Sequence, residues 1–233
     1  MTVLNHDLRI ADGAILLVDK PKGWTSFDVV NRIRHLFRVK KVGHAGTLDP
    51  MATGLLVVCT GKKTKDISAF VGMEKEYEAE MTLGGRTASF DAETPVLETR
   101  STAGITDERV REVLAHFTGR QLQVAPMWSA VKVGGTRLYK LARKGEEVER
   151  TPREIEVKSM RPTAIEMPRV RFTVVCSKGT YIRGLASDMG EALGCGAYLT
   201  ALVRTRIGEF LLADAVTVDD LAAFKDMQGT SPA

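Results

Sequence analysis

Residues 42–60 read VGHAGTLDPMATGLLVVCT, and the change of character partway along them decides how the fold is read. The first part, 42–53, has no hydrophobic period and many small residues, so it is expected as loop. The second, 55–60, is an apolar, partly β-branched run that Gly61 ends, as expected of a buried strand. Upstream lies a second apolar run, AILLVDK at 14–20, which reads as a strand leaving the core at Lys20-Pro21. Between the two runs, Phe27, Val30, Ile33, Leu36 and Phe37 recur at the spacing of one helix face. The spacing predicts an amphipathic helix over 26–39, with Arg32, Arg34 and Arg38 opposite the apolar stripe.

Working outward, 76–83 alternates as a strand does, and Thr106 followed by Asp107 and Glu108 starts a helix expected to reach about Phe117. Pro126, Gly134 and Gly135 break up 124–152, leaving room for a short helix within 137–144. Strands are predicted over 153–160 and 170–177. A helix follows, with Thr180 as its N-cap and Leu185, Met189 and Leu193 on one side, and Gly194 ends it. A last helix is expected over 217–225 and a loose tail over 226–233. Strands and helices are interspersed without a regular βαβ beat, which predicts an α+β domain around a mixed sheet.

The chain has 233 residues, 44% hydrophobic and 27% charged, a balance that suits one large globular domain. No run of eighteen apolar residues occurs and no secretory signal is visible at the start, so a cytoplasmic location is expected. Cys59, Cys176 and Cys195 are widely spaced and odd in number, which favours reduced buried thiols over disulfides or zinc. His6, His35, His44 and His116 show no metal-ligand spacing, and no metal or cofactor is expected. The net charge is +4 and the isoelectric point about 9.0. The basic residues cluster: Arg32, Arg34, Arg38, Lys40 and Lys41 lie within ten positions that hold no acid. Others group at 62–65, 137–144 and 204–206. Any one cluster reads as a solvated face, but together they suit a polyanionic partner bound in a salt-sensitive way.

Two stretches could carry chemistry. In Gly43-His44-Ala45-Gly46-Thr47-Leu48-Asp49-Pro50 the small residues permit close approach, and Pro50 disfavours a helical conformation at Asp49. Asp-Pro also starts ordinary turns, so this stretch alone favours a structural role. In Ser177-Lys178-Gly179-Thr180-Tyr181-Ile182-Arg183 a strand ends on glycine, and an arginine enters a helix start. Such an arginine could pair with a carboxylate and hold it ionised.

Taken in order, five blocks resemble the TruB family of tRNA pseudouridine synthases. They are Lys20-Pro21 with Gly23-Trp24-Thr25-Ser26; Gly43 to Pro50 with Ala52-Thr53-Gly54-Leu55-Leu56; Lys75-Glu76-Tyr77; Gly179-Thr180-Tyr181-Ile182-Arg183 with Leu185-Ala186; and Leu202-Val203-Arg204-Thr205 with Gly208 and Phe210. They span roughly residues 13–211. A further segment, Ala125-Pro126-Met127-Trp128-Ser129-Ala130-Val131-Lys132 with Gly135, Tyr139, Arg143 and Gly145, is similar to the family's RNA-gripping thumb insertion.

The resemblance implies a mainly antiparallel pseudouridine synthase fold, read as a single catalytic domain over 1–233 with the thumb near 124–152. It implies isomerisation of the T-loop uridine of tRNA, position 55, after the base flips out of its stack. Asp49 would be the nucleophile, attacking C6 of uracil or C1′ of ribose, and the residues leave both routes open. Tyr77 would stack on the base, Tyr181 would lie against it and move a proton, and Arg183 would pair with Asp49. His44 and Leu202 would touch the RNA or wall the pocket, and Lys20, Lys132, Arg143 and Arg204 would contact RNA. The chain departs from most members in having Ala125-Pro126 and Trp128 where two prolines and a tyrosine are usual. With 22 residues after Leu211, no C-terminal PUA domain is expected. The partner would be tRNA, with no membrane, no obligatory protein partner and a monomeric enzyme. A guide-RNA-dependent catalytic subunit and a non-catalytic tRNA-folding factor are the rival readings.

Overall fold

The structure, a computed structural model, describes residues 9–229. In chain order the strands and helices are β1 (Ile15–Lys20), α1 (Ser26–Phe37), β2 (Val42–His44), β3 (Thr53–Thr60), α2 (Ile67–Gly72) and β4 (Lys75–Leu83). They continue with β5 (Gly85–Thr87), β6 (Val96–Thr99), α3 (Asp107–His116), β7 (Gly119–Gln123), β8 (Lys132–Val133), β9 (Thr136–Arg137) and α4 (Leu138–Ala142). The last are β10 (Arg153–Glu166), β11 (Arg169–Cys176), α5 (Ile182–Ala192), β12 (Ala197–Ile207), β13 (Phe210–Leu211) and α6 (Val218–Gly229). No helix among the described residues is long and apolar enough to cross a membrane. The residues gather into two compact units, Met1–Tyr77 with Val203–Ala233, and Glu78–Leu202.

The first unit is built on β3. Strand β1 pairs with it antiparallel, Leu17 opposite Val57, and the second half of β12 pairs with its start in parallel, Arg204 opposite Gly54. The sheet is therefore mixed, as the alternation of elements predicts. Both faces of β3 are covered. Leu56 and Val58 pack with Val29, Val30 and Ile33 of α1 and with Leu221 and Phe224 of α6. Leu55, Val57 and Cys59 pack on the other side with Ala45, Phe70 and Ile207. This explains an unbroken apolar run in place of polar alternation: neither face meets water.

Helix α1 starts where expected, with Thr25 and Asp28 forming a reciprocal capping box. Its register differs from the predicted stripe. Val29 is fully buried while Phe27 is 58% exposed, because the buried face runs through Ser26, Val29, Val30, Ile33 and Phe37. The expected loop 42–53 begins as strand, since 42–44 are close enough to β3 to pair with Val58, Cys59 and Thr60.

In the second unit the strand order is β12-β4-β11-β10-β7, with β10 antiparallel to both β11 and β7. On β11, buried Val170, Phe172, Val174 and Cys176 alternate with more exposed residues. Helix α3 carries the expected Thr106 cap, its hydroxyl accepting from the Arg109 N–H. Thr180 does not cap α5. The N-cap is Tyr181, and the Thr180 hydroxyl instead donates to the Ser177 carbonyl, closing the turn after β11. Helix α6 extends through 226–229, where a loose tail was expected; 230–233 lie outside the described residues.

Candidate active site

Asp49 sits, half-buried, on the loop between β2 and β3. The loop is held at nearly every turn by groups from neighbouring segments. The Ser26 hydroxyl, at the start of α1, accepts from the Leu48 N–H at 2.8 Å and lies 3.2 Å from the Leu48 carbonyl oxygen, to which it can donate. The Gly23 N–H donates to the Pro50 carbonyl, and the Ala52 N–H to the carbonyl of Asp49 itself. Ala45 is anchored by its N–H to Val57 on β3.

Two buried cations complete the clamp. Lys20 has no exposed surface, and its ammonium donates to the carbonyls of Trp24 at 2.6 Å, Pro21 at 3.0 Å and Pro50 at 3.5 Å. Arg204 is 1% exposed, and its guanidinium donates to Leu55 at 2.7 Å, Gly46 at 3.1 Å and Thr47 at 3.5 Å. Carbonyl oxygens from both flanks of Asp49 are thus tied to buried positive charge. Removing a charge from water is costly unless hydrogen bonds replace its hydration, and here backbone carbonyls do so. Lys20 and Arg204 were expected to contact RNA. Their burial corrects that reading: the cations face inward and set the loop that carries Asp49.

The glycines fit this arrangement. Gly54 has φ +98°, and a Cβ there would lie 2.5 Å from the Arg204 carbonyl oxygen, so the parallel pairing of β3 and β12 demands glycine. Gly46, φ +99°, turns the chain so that its carbonyl reaches the Arg204 guanidinium.

His44, half-buried on β2, has its basicity lowered, chiefly by loss of hydration and then by the charge on Arg204. Its Nδ1 is buried and, among the described residues, has no hydrogen-bond partner. Tyr77 is buried near the start of β4. That strand is fixed locally by Lys75, whose ammonium donates to the carbonyls of Val71, in the last turn of α2, and of Met73 just after it, and by Glu76, which accepts from the Thr205 hydroxyl on β12.

The second unit gathers Tyr181 and Arg183. Gln123 at the end of β7 grips the Tyr181 backbone in both directions, donating to its carbonyl and accepting from its N–H, at 2.9 and 2.8 Å. Arg183 is 3% exposed, which rules out an ordinary surface charge. It donates to the carbonyls of Ser89 and Trp128 and lies 3.8 Å from the Asp91 carboxylate. Its guanidinium is 5.8 Å from the Tyr181 ring centre. Asp91 is itself buried and accepts from the Ser89 hydroxyl and the Glu93 N–H. Leu202 is buried at the end of this unit's share of β12. Lys132 and Arg143 are exposed on the segment around β8, β9 and α4, where Arg143 lies over the Tyr139 ring.

Sequence reasoning missed Ser26 as a loop anchor, Gln123 as the Tyr181 clamp and Asp91 as a buried partner of Arg183. An aspartate between Phe90 and Ala92, two residues before Glu93, is a weak signal for a buried ion pair.

The description "TruB family pseudouridylate synthase (N terminal domain)" matches residues 34–182, and "tRNA pseudouridylate synthase B C-terminal domain" matches 183–230. A tRNA pseudouridine synthase B of Phocaeicola vulgatus is 48% identical over 227 residues, covering 95% of this chain and 97% of that protein. One of Opitutus terrae is 49% identical over 209 residues, 90% of this chain and 87% of the relative. Among solved structures, the chain is similar to one described as a Cbf5-Nop10-Gar1 complex, with TM-score 0.75 and 31% identity. It is also similar to an archaeal box H/ACA Nop10-Cbf5 complex, with TM-score 0.72 and 29% identity. Both likenesses cover 97% of this chain, which spans 59% and 58% of the matched chains.

Proposed function

The chain belongs to the TruB family of pseudouridylate synthases, and from that premise we propose that it isomerises a uridine of tRNA, the T-loop uridine at position 55, to pseudouridine. The observation that supports this reading best is the clamp on the Asp49 loop, in which buried side chains are spent on holding one half-buried carboxylate. A reacting carboxylate gains from such fixing, because small displacements of a catalytic group are costly in rate. The reaction breaks the C1′–N1 bond, forms C1′–C5, moves the C5 proton to solvent and places a proton on N1. It is an isomerisation with no net redox change, so the chemistry calls for no electron carrier.

Asp49 is the nucleophile in this reading, with attack at C6 or at C1′ equally compatible with its position. The base reaches it by flipping out of the RNA stack. Tyr77 holds the uracil, and Tyr181 lies against it as the group that moves a proton late in the reaction. Arg183 provides the guanidinium that keeps a carboxylate ionised, and Asp91 fixes its orientation. His44 and Leu202 border the flipped nucleotide. The exposed Lys132 and Arg143 meet phosphates from a thumb-like insertion of the catalytic domain. The enzyme acts in the cytoplasm, as a monomer and without an obligatory protein partner.

The test uses a tRNA transcript tritiated at uridine C5, incubated with the purified chain and with Asp49→Asn. Release near one equivalent per tRNA by the wild type alone is expected. A second reading, a catalytic subunit that needs guide RNA and partner proteins, draws on the likeness to the Cbf5 complexes. Tight tRNA binding without tritium release would favour it, or a tRNA-folding factor.

A further inference from the structure

The basic run that follows the middle of α1 has a counterpart that only the fold reveals. Arg32, His35, Leu36, Phe37 and Arg38, from the last turns and end of α1, line an open concavity of ≈ 510 Å³ together with Lys225 of α6. Both helices belong to the first unit, and their packing is fixed by Phe37 against Phe224, ring centres 6.4 Å apart. Basic residues near a helix C-terminus are favoured by its dipole, and that accounts for part of the run. It does not account for Lys225, which another helix brings to the same hollow. No acidic residue lines the concavity, and among the described residues Arg32, Arg38 and Lys225 are held in no ion pair. Arg34, by contrast, is occupied with the Asn31 side chain at 2.7 Å, and it does not line the hollow. His35 adds a polar ring whose Nδ1 is 2.7 Å from the Asn31 carbonyl, so that nitrogen carries the proton.

We propose that this concavity is a second phosphate site, which takes the backbone of the bound RNA away from the reacting base. The proposal rests on the RNA-modifying reading above and deepens it. Convergent like charges repel one another unless an anion joins them, and a phosphodiester supplies the anion with oxygens for guanidinium and ammonium donors. The spacing suits a stem. Helix α1 begins at the Asp49 loop, where Ser26 holds Leu48, and ends at Arg38. Its 12 residues span about 18 Å at 1.5 Å each. That equals on the order of five phosphate steps along a duplex axis.

The test compares tRNA binding by wild type and by the triple variant Arg32→Gln, Arg38→Gln, Lys225→Gln over a range of salt, with a thermal melt to show that the fold is kept. Since the three side chains converge on one phosphate, the slope of log affinity against log salt should become shallower by about 0.7–0.9, the change that goes with one lost phosphate contact. Affinity at moderate salt should fall on the order of tenfold or more. An unchanged slope overturns the site, as does tighter binding of the wild type to anionic vesicles than to tRNA. Saturation by inorganic phosphate, with tRNA affinity unchanged in the variant, points to a free-anion site and overturns it too. Should the triple variant fail to melt cooperatively, Lys225→Gln alone gives the same reading through a smaller change of slope in the same direction. Because binding and tritium release are read separately, RNA held here without isomerisation overturns the enzymatic reading and leaves the site standing.

Discussion

Lys20 and Arg204 lie on one side of a contrast whose other side is Lys132 and Arg143. All four are cations that sequence alone places at an RNA surface. The first pair is fully buried and spends its donors on backbone carbonyls around Asp49. The second pair is exposed on a segment of short strands and a five-residue helix. The difference teaches that positive charge serves two ends here. Buried charge fixes the conformation of a reacting loop, whereas exposed charge is available to phosphates.

The largest effect should come from the buried pair. Arg204→Ala leaves three carbonyls without their donor and opens a cavity beside β3. A loss of about 3–5 kcal/mol in unfolding free energy is expected, from about 1–3 kcal/mol for each carbonyl left unsatisfied together with the cavity, checked by denaturant titration. Lys20→Met keeps most of the volume and removes the charge, so a smaller loss of about 1–3 kcal/mol should appear in the same measurement. If either variant melts like the wild type, the buried clamp contributes little and the contrast collapses.

Exposed cations should behave in the opposite sense. Lys132→Ala with Arg143→Ala should alter stability by no more than about 0.5 kcal/mol. It should also make the salt dependence of tRNA affinity shallower by about 1–2 units of log–log slope. Filter binding at several salt concentrations would read this, and a steep slope retained by the double variant would remove these residues from the RNA surface.

The smallest effect concerns His44. Its basicity in the folded state lies below the ordinary value of 6.5, so the unfolded chain binds the proton more readily. Stability from this residue is therefore complete above pH 6.5 and is lost as pH falls through the lower folded value. His44→Gln should flatten that part of the stability profile between neutral and mildly acidic pH. An identical acid slope in the variant would mean that the burial of His44 carries no such cost.

Much of the fold was legible because local and global signals agree. The existence of α1, the apolar run of β3 and the alternation of β4 follow from residue period, and the start of α3 from its Thr106 cap. The α1 stripe was misplaced by Phe27, since an aromatic at a plausible position outweighs Ser26 in any hydrophobicity pattern, and yet Ser26 is the buried one. Asp49 was legible only through the family resemblance, because Asp-Pro in a glycine-rich loop is ordinary. The roles of Lys20 and Arg204 were not legible, since nothing in one sequence says which way a long cation turns. That depends on carbonyls brought close by strands far apart in the chain, as when Arg204 meets Gly46.

The most direct test of the account is the single-turnover rate of tritium release by Arg204→Lys at saturating tRNA, measured beside its dissociation constant for tRNA. Lysine keeps the charge but cannot reproduce the guanidinium's spread of donors to Gly46, Thr47 and Leu55. The account predicts a rate lowered on the order of 10- to 100-fold, as a slightly displaced Asp49 would give, with tRNA affinity within about twofold of wild type. A normal rate with clearly weakened tRNA binding would contradict it, and would return Arg204 to the RNA surface where the sequence placed it.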